Sequence, residues 1–229
     1  MPTTFLEICN QLAEDAGISG ALTSVTAQSG EHLRVVNWVK RATTELEGAW
    51  FNWDFLHTFY SFNTIVGVAD YPPPADMNLW DTTTFKVTAD GSNLDYTMWT
   101  RMKTDASLPV DGDVYRFTVL PRKTLRLYST PSTTQALSME YWKQPTVLVA
   151  NTDEPLIPVQ FRDVIVAKAL QYYANYESAE EVKMQAQETL MARMRQLESH
   201  SLPAHQASGS VNNGVDIQVS AGGEFGYDY

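Results

Sequence analysis

Four histidines, one cysteine and scattered carboxylates are the side chains here that could bind a metal or move a proton. None of His32, His57, His200 and His205 stands in a metal-binding pair at helical spacing. Cys9 is alone, so it can build neither a zinc site nor an intrachain disulfide, which fits a reducing compartment. It lies in an apolar helical pattern and reads as core filler. Asp111-Gly112-Asp113 opens like a calcium loop, but Tyr115 and Phe117 occupy the following positions, so it reads as a turn. No phosphate-binding glycine loop and no Gly-x-Ser-x-Gly elbow occurs. Carboxylate pairs for glycoside hydrolysis are spatial rather than sequential, so an enzyme of that class stays open but unsupported. The sequence thus predicts no catalytic residue, no cofactor and no metal ligand. His200 reads as a favourable charge at a helix C-terminus.

Partner chemistry follows from charge. The chain carries a formal charge of −11 and a pI near 4.7, which disfavours general attraction to phosphate backbones. Arg116, Arg122, Lys123 and Arg126 cluster, but within what reads as a hairpin with a charged, solvated turn. The last stretch, residues 204–229, is rich in Ser, Gly and Asn and has no Lys or Arg. Within it Val215, Ile217 and Val219 alternate with polar residues at strand period, and Phe225, Tyr227 and Tyr229 follow. A lone strand is unstable in water, so these six residues are the candidate partner-binding set, able to add a strand to another protein's sheet. Fully extended, the arm reaches about 80–90 Å.

The elements that would carry this arm are legible as patterns. With 229 residues, 44% of them hydrophobic, the chain can bury a sizeable core. Thr4 and Glu7 form a capping box; Phe5, Ile8, Leu12 and Ala16 recur at helical spacing, and Gly17 is a stop. A second helix starts at Ser29 or Gly30, with Val36, Val39, Thr43, Leu46 and Trp50 as its stripe. Trp50, Phe51, Trp53 and Phe55 read as core aromatics. Strands are predicted over 55–62, 83–87, 114–120, 125–129 and 137–142, with Tyr115, Phe117 and Val119 facing opposite to Arg116 and Thr118. Pro158 is placed in the first turn of a third helix bearing Phe161, Ile165, Ala169 and Tyr172. Ser178-Ala179-Glu180-Glu181 reads as a second capping box, opening a helix with Val182, Ala186, Leu190, Met194 and Leu197 buried.

The expected fold class is therefore α+β. Two N-terminal helices (1–53) and two C-terminal helices (151–203) form a four-helix bundle. A small antiparallel β-sandwich or barrel (54–150) is inserted, and 204–229 is an extended C-terminal arm. No Lys or Arg precedes Arg34 and no apolar run approaches a membrane span, so no signal peptide or membrane anchor is expected.

Several segments, in order, resemble a known family. Phe5-Leu6-Glu7-Ile8, Glu14-Asp15-Ala16-Gly17-Ile18-Ser19-Gly20, residues 25–31, Arg34-Val35-Val36-Asn37-Trp38-Val39 and Trp50-Phe51-Asn52-Trp53 form one block. Asp153-Glu154-Pro155-Leu156-Ile157-Pro158 and Phe161-Arg162-Asp163-Val164-Ile165-Val166 form another. Together they resemble head-to-tail adaptor (connector) proteins of tailed bacteriophages, of the short-tailed type. The resemblance covers roughly residues 3–203.

It implies a viral structural protein of the virion neck, assembled in host cytoplasm, and not an enzyme. Such adaptors form a homo-oligomeric ring, typically a dodecamer, under the portal protein. They extend the channel through which genomic DNA passes in packaging and ejection, and present a surface to tail, nozzle or fibre-attachment proteins. Their C-terminal arm grips the portal. The arm here diverges from that pattern. Two alternatives stand beside this expectation: a virion-associated peptidoglycan hydrolase using a carboxylate pair, and a tail or gatekeeper ring lower in the same assembly.

Overall fold

The computed structural model describes residues 2–102 and 111–202 and is mixed α+β. Five α-helices lie among the described residues: α1 (Phe5–Asp15), α2 (Gly30–Glu47), the single turn α3 (Trp99–Met102), α4 (Asp163–Glu177) and α5 (Glu180–Ser201). Every described strand lies between His57 and Lys143: β1 (His57–Asn63), β2 (Asp70–Tyr71), β3 (Met77–Val87), β4 (Asp95–Tyr96), β5 (Asp111–Gly112), β6 (Arg116–Val119), β7 (Leu125–Tyr128), β8 (Thr130–Pro131) and β9 (Ala136–Lys143).

The helices form because their apolar residues share faces and their ends are capped. Thr4 Oγ1 accepts from the Glu7 amide (3.4 Å), and Glu7 reaches back to the amides of Thr3 and Thr4 (2.7 and 3.3 Å), so the predicted capping box is present. α1 ends in a Schellman turn: Ile18 N donates to Ala13 O, Gly17 N to Glu14 O, and Gly17 takes φ +69°. The second predicted capping box is absent. Ser178 instead ends α4 in the left-handed conformation (φ 56°), with Ala179 N donating to Ala174 O, and α5 starts without a side-chain cap.

α1 packs on α2 and α4, α2 on α4, and α5 chiefly along α4. Phe5, Ile8, Leu12, Val36, Val39, Ile165, Ala169 and Leu197 meet in one apolar cluster. α5 is less buried than its pattern predicts: Ala186 and Leu197 are buried, while Val182, Leu190 and Met194 are only half-buried. Pro158 does not open α4. It precedes a 3-10 turn, Val159–Phe161, and the α-helix begins at Asp163.

The strands divide into a three-stranded sheet (β1-β9-β3), a four-stranded sheet (β2-β7-β6-β4) and the pair β5-β8. Most pairings are antiparallel, as expected, but β4·β6 and β5·β8 are parallel. Thus Asp111-Gly112, predicted as a turn, is a short strand beside Thr130-Pro131. Trp80, Phe85, Leu137 and Met139 of the first sheet meet Phe117, Leu125 and Leu127 of the second in a separate apolar cluster, with Phe85 edge-on to Phe117 at 4.7 Å. Thr118, predicted to face away from Phe117, is buried with it. Of the aromatics expected in the core, Trp53 is fully buried, its Nε1 donating to Leu46 O (3.2 Å), but Trp50 and Phe51 are exposed.

Candidate partner-binding site

The two sequence blocks converge on one junction. Phe5 N donates to Asp153 O (2.8 Å) and Leu6 N to Asn151 O (3.2 Å), joining the start of α1 to the segment before α4. Asn151 Oδ1 accepts from Val25 N (2.8 Å). Asp153 Oδ2 accepts from the amides of Val149 and Ala150 (2.6 and 2.7 Å), and these two bonds hold its carboxyl below the usual range. Arg162 is buried; its guanidinium donates to the carbonyls of Ile157 and Pro155 (both 3.0 Å), to Thr3 O and to Glu154 Oε2 (3.0 Å). Glu47, fully buried at the end of α2, accepts from Thr146 N (2.5 Å) and Leu156 N (2.7 Å). Burial raises its pKa. These groups are spent on backbone donors and acceptors. They fix the scaffold, each buried polar group being matched to a partner.

Several other ionisable groups are likewise engaged. Tyr172 donates to Glu45 (2.5 Å), and with Arg41 and Lys168 nearby this takes the Glu45 carboxyl down to about 2. Burial pushes the Cys9 thiol up to about 12, which removes it as a nucleophile and agrees with core filler. A cleft of about 560 Å³ lies between α1, α4 and α5, but its Asp163 is ion-paired with Arg193 at 2.7 Å. Three of the four residues of the predicted basic cluster lie on local partners. Arg126 forms a bidentate pair with Asp70 (both bonds 2.5 Å), Lys123 reaches Asn78 O, and Arg116 lies over the Tyr115 ring. β6 and β7 form the predicted hairpin around this charged turn.

The six residues predicted to bind a partner, Val215, Ile217, Val219, Phe225, Tyr227 and Tyr229, lie outside the described residues. Their root does not. α5 ends where Trp50 Nε1 donates to Glu198 Oε1 (3.2 Å) and His200 stands edge-on to Phe161 at 5.0 Å. His200 is in the last turn of α5, where the sequence places it, and touches Gln160 and Ser201. Trp50 at this end is exposed, as are its neighbour Phe51 and Val159, the residue before Gln160, and Met184 and Met191 are exposed along α5.

The junction ties the two resemblance blocks together through backbone and side-chain hydrogen bonds. The match to a known family covers residues 3–212 and carries the description SU10 adaptor protein. The chain belongs to the SU10 adaptor protein family. This agrees with the resemblance to phage head-to-tail adaptors and makes the chain a phage structural component. The match spans both blocks of the adaptor and runs past the end of α5, stopping before Val215. No curated protein matches the adaptor chain. Among its described residues, no helix is long and apolar enough to cross a membrane.

Proposed function

We propose that this adaptor builds a ring, twelve copies in the family's usual form, beneath the portal at one capsid vertex. There it extends the DNA channel and offers its lower surface to tail proteins. The family match over residues 3–212 carries this reading. The chain's parts have separate duties in it. Residues 1–53 and 151–203 make the ring body, 54–150 the inserted β region, and 204–229 the arm that docks on the portal. Val215, Ile217 and Val219 add a strand to the portal, and Phe225, Tyr227 and Tyr229 anchor it. Exposed Met184 and Met191 on α5 supply apolar area for a neighbouring copy to cover. One arm binds modestly because ordering it costs entropy; a ring of arms binds by avidity. A charge of −11 per copy makes the assembly strongly acidic, so DNA passes its wall without adhering.

The role is structural, not enzymatic. Engaged carboxylates and a buried thiol support that assignment. Electron microscopy of the purified chain mixed with portal tests the whole reading. A stoichiometric ring on the portal is expected; two well-folded components that never associate would refute it. Ile217→Pro removes a backbone donor and should weaken portal binding about tenfold if strand addition is the mode. Unchanged binding would assign the affinity to the three aromatics instead.

A further inference from the structure

The first sheet brings together groups that the sequence keeps far apart. His57 opens β1, Asp81 lies in β3 and Glu140 in β9, the strand between them. Asp81 and Glu140 are direct register partners, and Glu140 also faces Phe59, two residues along β1 from His57. The three side chains therefore share one face of the sheet. One ligand atom from each lies within 4.8 Å of the other two, and all three residues are half-buried.

Two features of this cluster are left unbalanced by the protein itself. Carboxylates directly opposite each other repel. Among the described residues no Lys or Arg pairs with either one. The His57 Nε2 atom is buried and has no hydrogen-bond partner. It touches Glu140 Oε2 at 3.1 Å, but out of line for a hydrogen bond. Asp81 is meanwhile held in place, its Oδ1 accepting from Thr83 N (3.0 Å) and Thr83 Oγ1 (2.6 Å). Such outer bonds are what orient carboxylates that ligate metals.

We propose that His57, Asp81 and Glu140 bind a divalent transition-metal ion. The donors are one imidazole nitrogen and two carboxylate oxygens, a set suited to Zn²⁺, which takes such ligands at about 2.0–2.2 Å. Tetrahedral ligands at that distance sit about 3.4 Å apart, so a modest side-chain closure completes the site. The ion neutralises the facing carboxylates and gives Nε2 its partner. It also ties β1, β9 and β3 together at the end where Trp142 of β9 packs against the helical core. With three protein ligands the ion keeps an open position for water.

The test is calorimetric titration of the full chain, stripped with chelator, at neutral pH, with thermal unfolding alongside. One Zn²⁺ per chain is expected, with a rise in Tm. His57→Ala should weaken binding by about tenfold or more. The double variant D81N/E140Q should lose binding while raising the metal-free Tm, since it removes like-charge repulsion. H32A, H200A and H205A should bind as the unaltered chain does. The site is overturned if binding persists in both H57A and D81N/E140Q. Absence of saturable binding below about 1 mM overturns it too. Ca²⁺ binding as tightly as Zn²⁺ overturns the role of the imidazole.

Discussion

A buried carboxylate holds a loop only when each oxygen withdrawn from water finds a donor. Glu47 meets that condition with one amide per oxygen. Glu47→Gln keeps the volume but turns an NH₂ group toward one of those amides. The lost acceptor outweighs the relief of burying a neutral group, and stability should fall by about 1–3 kcal/mol in urea unfolding. Glu45 shows the opposite sign. Its folded pKa, about 2, lies below the usual carboxylate value, so its contribution is present at neutral pH and is lost as pH falls from about 4.5 toward 2. Tyr172→Phe removes the leading cause, and should cost about 1 kcal/mol at neutral pH. That difference should shrink on acidification to pH 2–3, which chemical denaturation at several pH values can follow. Neither role was readable beforehand. Leu156 is 109 positions from Glu47 and Tyr172 is 127 from Glu45, and local pattern says nothing across such distances. Cys9 was readable, because an apolar helical stripe on either side already placed it inside.

At the scale of elements, two helix ends invite opposite substitutions. Gly17 takes φ +69° with open space around its Cβ position, so Gly17→Ala costs only backbone strain, about 1 kcal/mol. Ser178 occupies the equivalent position after α4 with a Cβ already present. Ser178→Gly should therefore stabilise by about 0.5–1 kcal/mol, seen as a higher Tm. The capping-box motif was legible at both Thr4 (Thr-x-x-Glu) and Ser178 (Ser-x-x-Glu), yet only Thr4 caps. At Ser178 the short connection between antiparallel α4 and α5 demands a left-handed residue, and that demand overrides capping. The strand pattern located β1, β6, β7 and β9, but β3 begins six residues before its predicted start. Its early part is interrupted by a bulge against β9, which breaks the alternation on which the reading depends.

Across the whole molecule, both apolar clusters are built within residues 5–202. Truncation after Pro203 should leave the thermal midpoint nearly unchanged and weaken portal capture by about tenfold or more, measured by co-sedimentation with portal rings. The sequence by itself determined the α+β class, the helix–strand–helix order, the first capping box and the family. Each of those depends on neighbours within a few residues or on the order of blocks along the chain. Tertiary structure alone decided that Trp50 and Phe51 stay outside while Trp53 goes in, because α2 ends at Glu47 and the chain turns before the stripe can continue. It alone joined Thr3 to Arg162 and Asn151 to Val25, making one junction of two distant blocks. It alone set His57, Asp81 and Glu140 on one face. Strand pairing brings a residue opposite a partner tens of positions away, and that register is fixed by the packing of the sheet as a whole.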